Sequence, residues 1–130
     1  MIDVAAGSPA RPSDSPYEAL SPATVGHLRL LSASGVQLDI DGLRAWVDGR
    51  LIHLALKEFQ VLQALMENAG KVLTRRDLLD RVWGSGYADN NKTLEVHIRR
   101  LRRKLEPRPD TTERIRTVRG VGYIFDLTDR

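Results

Sequence analysis

Six cationic side chains, Lys92, Arg99, Arg100, Arg102, Arg103 and Lys104, fall within the segment KTLEVHIRRLRRK, residues 92–104. One carboxylate, Glu95, stands against them and leaves the segment at plus five, while the whole chain carries plus three. The remainder is therefore net negative, and the positive charge is concentrated. A local field of this kind attracts polyanions even when overall charge is modest. Guanidinium groups at this density can donate in pairs to phosphate oxygens or to the base edge of guanine.

Such groups need a rigid support, and the same segment supplies one. Leu94, Ile98, Leu101 and Leu105 recur at spacings of four, three and four, which puts them on one face of a helix. Val96, Arg99, Arg100 and Arg103 fall on the sides turned away, with Lys92 ahead of them and Arg102 and Lys104 on the flanks. The pattern predicts a helix that rests its aliphatic face on a core and turns a basic face to a nucleic acid.

The core must come from the rest of the chain. At 130 residues and 42% hydrophobic composition there is enough for one small domain and a tail, and too little for two full domains. Residues 1–26, with Pro9, Pro12, Pro16 and Pro22 among Ser, Ala and Gly, read as a flexible tail or linker, with a local contact open to Tyr17, Ala19 and Leu20. Residues 27–130 read as the folded unit. Within it, VQLDI, LRAWVD and LIHL are separated by Asp41-Gly42 and Gly49-Arg50, the breaks expected of hairpins in a small antiparallel sheet. Leu28 to Leu31 could add another strand. Glu58 to Asn68 carries Phe59, Leu62, Leu65 and Met66 on one helical face, with Gly70 at the stop.

Val72 to Thr74 reads as a short strand or turn entering a second helix, with Thr74 as its cap and Asp77 as the acid in its first turn. Leu78, Leu79 and Val82 supply its buried edge. Trp83 is expected to cover the core, since no second aromatic lies beside it in sequence to form a stacking platform. Beyond a break from Gly84 to Asn91 comes the basic helix. After Pro107 and Pro109, Arg114–Val118 and Val121–Leu127 flank Arg119-Gly120 and read as a hairpin, with Tyr123, Phe125 and Leu127 on one side and Arg116 and Arg119 near the tip.

Other classes fit poorly. The chain has no cysteine, so disulfides, thiolate chemistry and cysteine zinc sites are excluded, and His27, His53 and His97 lie far apart in no metal-ligand spacing. No cofactor or metal is expected. No nucleophile, base and orienting acid form a recognisable set, and no glycine-rich loop ends in Gly-Lys-Ser or Gly-Lys-Thr, so an enzyme is not expected. No apolar run is long enough to span a bilayer, and the N-terminus lacks a signal pattern. A soluble cytoplasmic protein is the simplest reading.

In order along the chain, LALKEFQVLQAL, VLTRRDLLDRVWG, KTLEVHIRRLRRKLE and IRTVRGVGYIF resemble the successive motifs of the winged helix-turn-helix effector domain of OmpR/PhoB response regulators. The resemblance covers about Gly35 to Leu127. It implies an α+β fold: an N-terminal antiparallel sheet of four strands, three helices and a C-terminal β-hairpin wing. It further implies that the helix around Thr93 to Leu105 enters the major groove of double-stranded DNA, about 12 Å wide and able to admit a helix. By position, Val96 would touch thymine methyls and Arg100 would face bases, while Lys92, His97, Arg99, Arg102 and Arg103 would lie at or near backbone contacts. Thr74 and Arg75 match phosphate-contacting positions at the second helix, and Thr117 and Arg119 match wing positions, with Arg119 at the minor groove. Trp83, Gly84, Ser85, Gly86, Tyr87, Ala88, Asp89 and Asn90 match a loop that members turn to RNA polymerase or sigma factor. Pairing of two copies on direct-repeat DNA is also a family habit.

Two departures stand out. Members usually have Leu-Thr before the first long helix, whereas Leu54-Ala55 here lacks the capping hydroxyl, a loss of about 0.5 to 2 kcal/mol unless another group substitutes. Also, about thirty residues ahead of the motifs are too few for a phosphorylatable receiver domain, so the chain is expected to be a fragment or a stand-alone or differently fused effector. The alternative from another class is a protein-interaction module that keeps the fold and sets its basic helix on RNA polymerase or another acidic partner. Salt-dependent binding of duplex DNA separates the two.

Overall fold

The computed structural model describes residues 29–87, 92–106 and 113–127. The expected contact of Tyr17, Ala19 and Leu20 lies outside them. Four strands, β1 (Leu30–Ala33), β2 (Val36–Asp39), β3 (Arg44–Val47) and β4 (Arg50–Ile52), form an antiparallel meander in chain order. Two of its turns are two-residue reversals in which both residues have positive φ: Ser34 and Gly35 at 49° and 81°, Asp48 and Gly49 at 50° and 83°. This mirror-image turn matches the twist of paired strands. The Asp41-Gly42 turn differs from expectation, because the left-handed residue is Leu43, with φ 56°. Gly42 is needed there for space: the Asp39 carboxylate accepts its N–H at 3.0 Å, and an added Cβ would come within 2.4 Å of that carboxylate.

Alternation along the strands turns Val36, Leu38, Ala45 and Val47 inward, where they are buried, and leaves Gln37 and Arg44 exposed. Helix α1 (Leu56–Glu67) sits at the centre of the molecule, touching the first sheet, the two later helices and the C-terminal sheet. Its start keeps half of a capping box: Glu58 reaches back and accepts the Ala55 N–H at 3.0 Å, while Ala55 offers no side-chain acceptor to the first turn. At its far end Gly70, at φ 84°, donates to the Phe125 carbonyl at 2.9 Å and ties the helix exit to the C-terminal sheet.

β5 (Val72–Thr74) leads directly into α2 (Arg75–Val82). Thr74 caps that helix as expected, and the bond is reciprocal: Asp77 N–H donates to Thr74 Oγ1 and Thr74 N–H to Asp77 Oδ2, each at 3.0 Å. Hydrogen bonding from the Thr74 backbone N–H, then from its side chain, holds the Asp77 carboxyl below its ordinary pKa. α3 (Thr93–Leu105) follows, then β6 (Ile115–Val118) and β7 (Gly122–Phe125). The C-terminal element is not a bare hairpin, because β5 joins it to give a three-stranded sheet in the order β5-β7-β6. Gly122 makes that junction feasible, since a Cβ there would lie 2.0 Å from the Leu73 carbonyl oxygen. Tyr123 and Phe125 are buried, and so is Ile124 between them, so β7 is covered on both faces, whereas Leu127 lies past the strand end and is 64% exposed.

Arg114 is the least anticipated part of the core. It is 1% exposed, yet it heads a surface hairpin. Its guanidinium donates to the Ser34 carbonyl at 2.7 Å, to the Leu105 carbonyl at 3.1 Å and to the Asp48 carboxylate at 3.1 and 3.3 Å, while its N–H donates to Glu106 at 2.6 Å. One side chain thus joins both mirror-image turns of the first sheet to the last turn of α3. A cation there also suits the negative end of the helix dipole.

Candidate nucleic-acid interface

The spacing that predicted α3 sets its orientation. Leu94, Ile98, Leu101 and Leu105 are 0–1% exposed, which fixes the helix on α1 and α2 by its aliphatic face. Fully burying such side chains contributes about 1.5 to 3 kcal/mol each, enough to hold the opposite face outward. On that face Arg99, Arg100 and Arg103 are exposed and pair with no other described residue. Val96 lies half-buried beside them. Lys92 is exposed at the head of the helix in the left-handed conformation, φ 59° and ψ 37°, and contributes no side-chain cap. Three arginines and a lysine thus carry charge that no other described residue engages, available to phosphates or base edges.

The remaining cations of the segment do other work. Lys104 Nζ donates to Glu58 Oε1 at 2.6 Å, pointing back into the fold. Arg102 turns sideways: Nε donates to the Ile115 carbonyl at 3.0 Å and Nη2 to Thr117 Oγ1 at 2.6 Å, with Glu113 at 3.7 Å. Arg102 and Thr117 are thus brought together with each other. His97 is half-buried, with Nδ1 2.8 Å from the Thr93 carbonyl and its ring edge-on to Trp83 at 5.2 Å. Helical angle puts Arg102 and Lys104 on the flanks of the basic face, and the family resemblance puts His97 near a backbone contact; Ile115, Thr117, Glu58 and Trp83, which these side chains meet, lie on other elements that a helical angle does not contain.

Around α3 stand the other expected contacts. Thr74 is exposed at the start of α2. Arg75 beside it is held by Glu95 of α3 through bonds of 2.5 and 3.2 Å, which joins the first turns of the two helices and offsets the Arg75 charge. Between Arg75 and the turn of the last hairpin lies a cleft of about 320 Å³, lined also by Thr117, Val118, Gly120, Val121, Gly122 and Tyr123. Burial pushes the Tyr123 phenol above its ordinary pKa, aided by Glu95 and opposed by Arg102 and Arg75. Arg119 is exposed at the turn, next to Gly120 at φ 77°. Arg116 does not present its charge there, because the Asp126 carboxylate accepts two bonds from it at 2.8 and 3.1 Å.

Trp83 packs against the core, as expected, but not for want of aromatic neighbours. Tyr87 stacks on it at 5.9 Å, His97 meets it from α3, and Lys57 Nζ lies 5.8 Å from its ring centre while donating to the Val82 carbonyl at 2.9 Å. Gly84 and Gly86 take positive φ in the loop that follows, with Ser85 exposed between them. Ala88, Asp89 and Asn90 lie outside the described residues. Among the described residues no group of three or more His, Cys, Asp or Glu side chains is placed to hold a metal ion, and no helix is long and apolar enough to cross a membrane.

Comparison with known proteins places this geometry. The family model described as "Transcriptional regulatory protein, C terminal" matches residues 49–125. The sensory transduction protein RegX3 of Mycolicibacterium smegmatis is 48% identical over 94 residues, covering 72% of this chain and 41% of that protein. The chain thus spans less than half the length of this relative. Among solved structures, the DNA-binding domain of CpxR from E. coli is 30% identical with a TM-score of 0.67, covering 76% of this chain and 97% of that one. The Klebsiella pneumoniae RstA DNA-binding domain in complex with the RstA box is likewise 30% identical with a TM-score of 0.67, covering 75% and 97%.

Proposed function

The chain belongs to the OmpR/PhoB-type winged helix-turn-helix effector domains of response regulators, and from that premise we propose that it binds double-stranded DNA sequence-specifically to regulate transcription. The observation that carries the reading is the outward face of α3, where Arg99, Arg100 and Arg103 are exposed and unpaired among the described residues while the opposite face is sealed in the core. RstA, similar in fold and sequence, was solved on its DNA box, which supports the same use here.

In this reading α3 lies in the major groove, with Arg100 reading base edges, Val96 against thymine methyls, and Lys92, Arg99 and Arg103 on phosphates that set its register. Thr74, at the start of α2, adds a backbone contact near a helix N-terminus. Arg119, at the tip of the β6–β7 hairpin, enters the adjacent minor groove. Residues 27–130 form the effector unit and 1–26 a tail or linker. Residues 83–90 offer a surface to RNA polymerase, and two copies occupy direct-repeat sites. The test is selection of bound fragments from genomic DNA by the wild-type chain and by Arg100→Ala. A shared motif in the wild-type pool that weakens with Arg100→Ala is expected; failure to enrich any duplex would overturn the reading.

A further inference from the structure

Among the described residues, Arg102 is the one arginine in the RRLRR run that bonds a strand, with two of its five donors. Its Nε donates to the Ile115 carbonyl at 3.0 Å and its Nη2 to the Thr117 hydroxyl at 2.6 Å, so one planar group grips two alternate residues of β6. The guanidinium carbon also stands 5.9 Å from the centre of the Tyr123 ring in β7, within cation–π reach. Only 27% of the Arg102 side chain is exposed. Arg99 and Arg103, three positions before and one after it, are exposed and engage no other described residue.

The guanidinium fork is rigid, so bonds to two points on a strand fix an angle as well as a distance. Resting on the proposed DNA-binding function, we infer that Arg102 is a positioning residue that sets the wing's register relative to the reading helix, so that it governs selectivity for the base pairs under Arg119 without itself neutralising a phosphate. A phosphate at this position would have to take the donors left over from β6, on a side chain only 27% exposed and with the Glu113 carboxylate already 3.7 Å away. A residue acting only on stability would weaken binding to every sequence alike.

The experiment is selection from a randomised duplex library, followed by affinity measurements across a salt series, for the wild-type chain, Arg102→Met, Thr117→Val, Thr117→Ser and the double variant Arg102→Met with Thr117→Val. Methionine keeps an apolar stem over Tyr123, and circular dichroism confirms that each variant is folded. Arg102→Met is expected to lower preference at wing-side base pairs by about two- to tenfold while leaving preference at the α3 base pairs and the slope of log affinity against log salt unchanged. Thr117→Val reproduces the loss, Thr117→Ser restores selectivity, and the double variant is no worse than either single change. A salt slope smaller by about one unit in Arg102→Met, with uniform loss across sequences, would identify a phosphate contact and overturn the inference. Additive losses in the double variant would overturn it as well. If the wild-type chain selects no sequence, the DNA-binding reading fails first, a result distinct from both.

Discussion

Lys104 Nζ lies 2.6 Å from Glu58 Oε1, so the last turn of α3 is bonded to the carboxylate that reaches back over the start of α1. Burial alone opposes ionisation of Glu58 most strongly. The bonds from Lys104 and the Ala55 N–H, with the charges of Lys104 and His97, outweigh it and hold the carboxyl below its ordinary value of 4.5. A carboxylate depressed in this way stabilises the fold fully above 4.5, and the contribution is lost as pH falls through the lower folded value. Glu58→Gln, which still offers an oxygen to Ala55 but no charge to Lys104, should lose about 1.5 to 3 kcal/mol at neutral pH. In urea melts across pH 3 to 7, roughly the range over which carboxylates titrate, the wild type should lose its advantage on the acid side only. A gap that stays constant with pH would contradict the coupling.

The exposed arginines should separate by role. Arg100→Ala is expected to relax preference at one or two base pairs, with a loss of about 1 to 3 kcal/mol on the preferred site. Arg103→Ala and Lys92→Ala should instead weaken preferred and scrambled duplexes together and reduce the salt slope by about one unit each. Fluorescence anisotropy at several salt concentrations distinguishes the two patterns.

Removing the buried guanidinium at Arg114 takes one donor from each of the Ser34 and Leu105 carbonyls, while Asp48, its side chain 57% exposed, can turn to water. Arg114→Met should therefore cost about 2 to 5 kcal/mol in stability. Thermal unfolding measures it, and Arg114→Lys, with one mobile ammonium in place of a fork, should recover only part. Full stability of the methionine variant would mean that the three joined elements hold without it.

At Gly122 the constraint is steric. Alanine there would press on the Leu73 carbonyl and the Thr74 backbone and push β5 away from β7. Gly122→Ala should lose about 1 to 3 kcal/mol or more, with amide exchange quickening first at residues 72–74 and 122–124 while α1 stays protected. Uniform exchange throughout the domain would argue against a local opening.

The sequence was most readable where one period dominates. The four-three-four spacing of Leu94, Ile98, Leu101 and Leu105 located α3 and its buried face, and glycine-containing breaks located the meander. β5 was harder, because Val72 to Thr74 is too short to alternate and its partner Gly122 lies far along the chain. The fate of individual cations was hidden for a related reason. Helical angle separates Arg100 from Leu101, but it cannot tell that Arg102 meets Ile115 and Thr117, that Lys104 meets Glu58, or that Arg75 meets Glu95. Arg114 reads only as the first residue of a hairpin segment, because its partners Ser34, Asp48 and Leu105 lie elsewhere in the chain, and one neighbour of Trp83, His97, arrives from another helix.

β7 is bonded along both edges, to Leu73 and Thr74 on one side and to β6 on the other. Inserting or deleting a single residue in β7 would slip both alignments at once and turn Tyr123 and Phe125 out of the core. Changes of length should be absorbed at the tip, around Arg119 to Val121, where β6 and β7 are not paired. Loop grafts from relatives should therefore be exchanged between Val118 and Gly122, leaving the rails on either side untouched.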